Sequence, residues 1–155
     1  MPAFQLFDEP LPSQPPFDIS VAAGAVVSFD GRVRDQNENR SVSKLAYSAY
    51  PALALSEGNR IVAEAIARFG LTAAACCHRL GELALGDVAV RVWAVAAHRE
   101  EAFAGCRYII DEVKTRVPIW KKETYLDGQS EWVMCSHGPE GQPASRSDAR
   151  TSAAE

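Results

Sequence analysis

The chain has 155 residues, 47% hydrophobic and 23% charged, with a formal net charge of −4. Those figures support one domain with its own core and argue against a general nucleic-acid coat. Its longest apolar runs, such as 92–97, are too short to span a bilayer. Asp8, Glu9 and early prolines stand where a secretory leader needs a basic and then an apolar block, so the expected compartment is the cytoplasm.

Along the chain, a short strand is expected at Phe4–Phe7, followed by a connector carrying Pro10, Pro12, Pro15 and Pro16. Ala25–Phe29 reads as a strand broken or bulged at Gly31. Residues 35–41 are polar without periodicity and predict a loop, whereas Lys44–Ala49 alternates as a strand should. A helix follows Pro51: Leu55, Val62, Ile66 and Phe69 recur at helical spacing, and Gly70 ends it. Thr72–Leu80 and Val88–Ala97 read as strands around a turn at Leu85-Gly86-Asp87. Arg99–Arg116 predicts a second long helix with Phe103, Cys106, Ile110, Val113 and Val117 on its buried stripe. Beyond Pro118, residues 119–125 and 130–134 form a hairpin around Asp127-Gly128. From Ser136 to Glu155 there is no Val, Leu, Ile, Met or aromatic residue, so a single domain is expected over 1–135 with a disordered tail over 136–155. This order of elements predicts an α+β domain, two long helices against mainly antiparallel strands.

Cys76, Cys77, Cys106 and Cys135 lack metal-ligand spacing. Adjacent strand residues point to opposite faces, so Cys76 and Cys77 cannot easily share an ion. No metal site is expected, and the cysteines read as small buried hydrophobes in a reducing compartment.

The densest chemistry lies in Lys114-Thr115-Arg116-Val117-Pro118-Ile119-Trp120-Lys121-Lys122-Glu123, with four cations in nine residues. Pro118 ends the helix and pushes Val117 toward extended geometry, so lysines on two different elements meet around a rigid corner. At about 100° per residue Lys114 lies about 20° from Phe103 and about 40° from Ile110, on the border of the apolar arc. A desolvated lysine there is a candidate nucleophile or general base; the same spacing also suits a snorkelling lysine whose stem covers the core edge. Lys121 and Glu123 share a strand face, either as a surface ion pair or with Glu123 orienting Lys121 beside a substrate. Arg116 could join this cationic cluster or pair with Glu112 one turn earlier. His98 and Arg99 open the second helix, where free N–H groups suit a phosphate, although Glu100 and Glu101 could already satisfy that end. Arg34 ends the Gly31 strand and would ordinarily be a solvated edge residue. His78-Arg79, with Gly81-Glu82 and Gly86-Asp87, reads as turn chemistry.

KTRVPIWKKE resembles the K-T-R-x-P-x-W-K-x-E signature of the large, catalytic subunit of molybdopterin synthase. Phe29–Arg34 resembles that family's F-x-G-x-V-R. His78–Leu83 with Gly86-Asp87 resembles H-R-x-G-x-L-x-x-G-D, and 97–103 resembles A-H-R-x-x-A-F. All four occur in the family's order over 24–133. The resemblance implies an α/β-hammerhead type of fold with an added antiparallel β subdomain. It also implies a central homodimer within a heterotetramer. The implied activity is a sulfurtransferase that takes sulfur from the C-terminal Gly-Gly thiocarboxylate of a small ubiquitin-like carrier. The acceptor is cyclic pyranopterin monophosphate, which becomes the dithiolene of the molybdenum cofactor; no cofactor is implied. It favours Lys114 and Lys121 as catalytic, with Arg34, His98, Arg99, Arg116 and Glu123 as substrate-binding or supporting groups. Ile119 replaces a common aromatic residue, and Asp30 adds a carboxylate that could alter pocket charge. The competing expectation is a non-catalytic module that docks a partner's C-terminal tail or a phosphate ligand in the same basic pocket.

Overall fold

A computed structural model describes residues 2–37 and 39–134. The tail expected over 136–155 and Cys135 lie outside the described residues. In chain order the elements are β1 (Phe4–Phe7), β2 (Ala25–Arg32), β3 (Gln36–Asn37), β4 (Arg40–Ala49), α1 (Pro51–Phe69), β5 (Ala73–Arg79), β6 (Gly81–Leu83), β7 (Val88–Ala96), α2 (Arg99–Arg116), β8 (Ile119–Tyr125) and β9 (Ser130–Met134). The α+β expectation is borne out, and most boundaries fall within a residue or two of those read from the sequence.

The first sheet has the order β1-β5-β7-β2, with β1 parallel to β5 and the other pairs antiparallel. Strand alternation divides it cleanly. Cys76, Val90, Val92 and Ala94 face the two helices, while Ala75, Cys77 and Trp93 face Phe7, Leu11 and Phe17 of the N-terminal segment. Cys76 and Cys77 therefore do point to opposite faces. Burial pushes the thiols of Cys77 and Cys106 up to about 11, so they stay protonated at neutral pH.

Small residues set the helix packing. The buried face of α1 is Ala54, Gly58, Ile61, Val62 and Ala65, and that of α2 includes Ala102, Gly105, Cys106 and Ile109. Close approach through these residues displaces larger side chains to the flanks. Leu55 and Ile66 are only partly buried, and Phe103, expected on the buried stripe, is 62% exposed. A Cβ on Gly58 would lie 2.2 Å from the fully buried ring of Phe4, and one on Gly105 would lie 2.7 Å from Leu71. Gly58→Ala is therefore expected to destabilise the fold by about 2 kcal/mol, despite alanine's better helix propensity, lowering the melting temperature by roughly 5 °C. Thermal unfolding checks this, and an unchanged or raised midpoint would contradict the packing described.

The second sheet runs β3-β4-β8-β9, with β6 also paired to β4. It closes over Val33, Val42, Leu45, Leu83, Ala89 and Tyr125. Two features differ from the sequence reading. Residues 35–41 form no open loop: β3 and the start of β4 make a tight hairpin through Asn39, which adopts φ 66°. Asparagine tolerates this left-handed conformation, and polar side chains on both short strands hid the alternation. Gly81-Glu82, read as turn, instead opens β6, whose Leu83 fills the second core.

Candidate active site

The corner at Pro118 forms as its residue types dictate. Val117 caps α2 in extended geometry (φ −80°, ψ 127°), its N–H donating to the carbonyl of Val113, and β8 begins two residues later. This places Lys114 on the last turn of α2 and Lys121 on β8 at the wall of one cleft, with about 80 Å³ open to water. Val90, Ile110, Val113 and Ile119 supply its apolar side; Arg32, Tyr47 and His78 complete the polar side. The space equals roughly three water molecules, enough for an anionic group or the edge of one ring.

The wall is connected from strand to strand. Tyr47 of β4 stands directly opposite Lys121 of β8, and its ring meets the His78 ring edge-on at 4.9 Å between centroids. His78 is buried. Its pKa is lowered to about 4, chiefly by desolvation; the hydrogen bond to the Arg79 carbonyl opposes this, and the Lys114 ammonium adds to the depression. Arg32 is held at the rim by a hydrogen bond from its Nε to the carbonyl of Gly86 (3.1 Å). Such a cleft can attract an anion, place an amine beside it and seat a flat ring against aliphatic side chains.

Of the seven residues predicted as functional, the cleft brings together Lys114 and Lys121. Lys114 is exposed and shares the cleft lining with Ile110 and Val113, on the border of the apolar arc as its helical position predicts, but without the burial a desolvated amine would need. His98 and Arg99 are exposed at the opposite end of α2, and 16 residues of helix separate His98 from Lys114 by about 24 Å. Within one chain they do not join the cleft. Arg34, exposed beyond the end of β2, also lies outside its lining.

Glu123 shares the inward face of β8 with Lys121 but is 2% exposed and accepts a hydrogen bond from Asn37 Nδ2 at 2.6 Å. It ties β8 to the β3–β4 hairpin, so its link to Lys121 runs through the strand backbone. Arg116 departs further from expectation. Its guanidinium reaches Glu57, Glu64 (2.7 Å) and Glu112 (3.1 Å), clamping α2 to α1. The expected pairing with Glu112 occurs, but the three carboxylates turn Arg116 away from the cleft. Asp30 is likewise neutralised: Arg91, its register partner on β7, binds both carboxylate oxygens at 2.7 and 2.9 Å and also donates to the Pro12 carbonyl. Asp30 does not line the cleft, although its charge also acts on Arg32 at the rim.

Sequence reasoning missed His78, Tyr47 and Arg32. Gly86-Asp87 does form a turn: Asp87 caps the N–H of Ala84 and also pairs with Arg79 at 3.3 Å. His78, however, lies on the strand face opposite to Arg79 and points away from that turn. The period-two alternation from Cys76 to His78 was the available signal. Among the described residues no group of three or more His, Cys, Asp or Glu could hold a metal ion.

The sequence profile described as MoaE protein matches residues 10–116. A molybdopterin synthase catalytic subunit from Pyrococcus abyssi is 46% identical over 114 residues, covering 74% of this chain and 76% of that protein. This chain belongs to the MoaE family. The chain is also similar to a plant protein: the Oryza sativa subsp. japonica molybdopterin synthase catalytic subunit is 49% identical over 109 residues, 70% of this chain and 56% of the rice protein. The chain thus spans little more than half the length of that relative. Among solved structures, molybdopterin synthase from Staphylococcus aureus superposes with a TM-score of 0.80 at 33% identity, covering 86% of this chain and 98% of that one.

Proposed function

We propose that this chain is the catalytic subunit of a molybdopterin synthase. It transfers sulfur from the C-terminal thiocarboxylate of a small ubiquitin-like carrier to cyclic pyranopterin monophosphate, forming the molybdopterin dithiolene. The observation that carries the reading is the convergence of Lys114 and Lys121, from two elements, on a cleft with cationic and aliphatic walls. The chemistry releases a carboxylate from an acyl sulfur and opens a cyclic phosphate. It calls for proton transfer and for stabilisation of developing negative charge. In this reading Lys114 and Lys121 are the catalytic amines, Arg32 draws the anion to the rim, and Glu123 holds β8 in place. The carrier supplies the sulfur, and no resident cofactor is used.

The cleft of one chain is small for a tricyclic pterin, and His98, Arg99 and Arg34 lie outside it. We place the remaining contacts at an assembly of two catalytic subunits with two carriers, in which His98 and Arg99 of a second copy bind the substrate phosphate and Arg34 closes the rim. Support for self-association comes from β2, an outer strand of its sheet with exposed Val26 and Phe29, and from exposed Phe103 on α2, which packs beside it. An outer strand bearing apolar side chains is ordinarily covered. No described helix is long and apolar enough to cross a membrane, and the cytoplasm, where the carrier would be loaded, is the proposed compartment.

The test is turnover. Purified protein is mixed with cyclic pyranopterin monophosphate and a thiocarboxylated carrier, and the pterin product is followed by mass spectrometry. Two sulfur atoms gained per pterin are expected. Tight carrier binding without any sulfurated pterin would move the chain to the binding-module class.

A further inference from the structure

The proposed sulfur transfer leaves His78 without a role, although it is 7% exposed on the wall of the cleft. Its Nδ1 lies 2.8 Å from the carbonyl oxygen of Arg79. A carbonyl only accepts, so the neutral ring carries its proton on Nδ1 and its lone pair on Nε2. The β5 backbone thereby sets the tautomer, and the edge of Tyr47 holds the ring plane. Desolvation keeps the imidazole uncharged at neutral pH, with Lys114 opposing a second positive charge. The charged side chains sharing this wall, Arg32, Lys114 and Lys121, are all donors. They recognise a phosphate or carboxylate without distinguishing what it is attached to.

We propose that His78 is a specificity-determining residue: its Nε2 accepts a hydrogen bond from a ring N–H of an anionic nitrogen heterocycle whose acidic group is held by the neighbouring cations. This rests on the reading of the cleft as a pterin site and adds which side chain reads the ring. A buried acceptor rejects a ligand lacking the matching donor more strongly than a cationic rim does, because the acceptor is then left unpaired. A protonated imidazole could not serve, since it would offer a donor and repel Lys114.

Two substitutions with opposite consequences test the assignment. His78→Asn keeps an N–H donor near the position of Nδ1 but has nothing at Nε2. His78→Gln sets an amide oxygen near Nε2 and gives up the bond to the Arg79 carbonyl. Binding of cyclic pyranopterin monophosphate is measured by calorimetry on the complete chain, with melting temperatures recorded alongside. The asparagine variant is expected to bind about tenfold more weakly, and the glutamine variant to recover most of that loss. The reverse order, near-normal binding by the asparagine variant and weak binding by the glutamine variant, would reveal a purely structural tie to Arg79 and overturn the assignment. Imidazole nitrogen NMR on the unaltered protein is independent of whether either variant folds. The Nε2 resonance should move on saturation with the pterin while Nδ1 stays, and an unmoved Nε2 would also overturn the assignment. Failure of the unaltered protein to bind the pterin is a different result, and it would remove the proposed function itself.

Discussion

Replacing Lys114 with alanine is expected to cut sulfur transfer roughly a thousandfold while leaving the melting temperature and carrier binding close to those of the unaltered protein. Lys114 is exposed on the last turn of α2, so removing its side chain empties no core space. A cation there also complements the negative end of the helix, a contribution of only a few tenths of a kcal/mol at an exposed position. The large loss is therefore chemical. Lys114→Arg separates charge from proton transfer: arginine keeps the positive charge but cannot act as a neutral amine, and should recover substrate binding without turnover. Lys121→Ala should cost about a hundredfold, and the double variant less than the product of the two if both lysines act on one step. Single-turnover kinetics with product mass spectrometry reads these effects. If Lys114→Ala instead weakened pterin affinity with little change in the rate from the bound state, the lysine would be an anchor and the enzyme reading would be lost.

The corner that brings the lysines together was legible because proline chemistry is local. Pro118 ends the helix and extends Val117 whatever surrounds them, and the next lysine on the inward strand face is fixed by alternation. Both long helices, the Asp127-Gly128 hairpin and the opposed faces of Cys76 and Cys77 were legible for the same reason. What stayed hidden depends on residues distant in sequence. Arg116 and Glu112 are one turn apart, but nothing local announces that Glu57 and Glu64 arrive from α1 to complete the clamp. Asp30 and Arg91 become partners only once β2 pairs with β7. Helical angles gave Phe103 an inward direction. The glycines and alanines that let α1 and α2 approach closely rotate the buried face away from it, an effect of packing that periodicity of large side chains does not register. His98 and Arg99 show the same limit from the other side. Their place at the N-terminus of α2 was read correctly, and the length of that helix carries them away from the cleft.

Arg116 yields the second large effect, on stability. Arg116→Ala leaves Glu57, Glu64 and Glu112 converging without the guanidinium that binds all three, with the more distant charge of Arg60 still acting on Glu64. Stranding carboxylates in a fully buried site costs about 3–5 kcal/mol, but these groups keep a fifth to a third or more of their exposure, so a loss on the order of 2–3 kcal/mol is expected. For a chain of this size the melting temperature should fall by roughly 6–9 °C. Arg116→Lys should recover only part of this, since a single ammonium cannot reproduce the fork that reaches three carboxylates. Pterin affinity should change less than about threefold, in contrast to its role as an anion binder expected from the sequence. The pH dependence supplies a sharper signature. Hydrogen bonds from Arg116, and then from Tyr108, hold the Glu64 carboxyl at about 2, below its ordinary 4.5. A depressed carboxylate stabilises the fold fully above its unfolded pKa, and that contribution is lost as pH falls from about 5 toward 2. The unaltered protein should therefore lose stability steeply over this range, and Arg116→Ala more gradually, so that the two curves converge in acid. Parallel curves would mean that the Glu64 carboxylate draws its stabilisation from something other than Arg116, and the helix clamp would have to be reassigned.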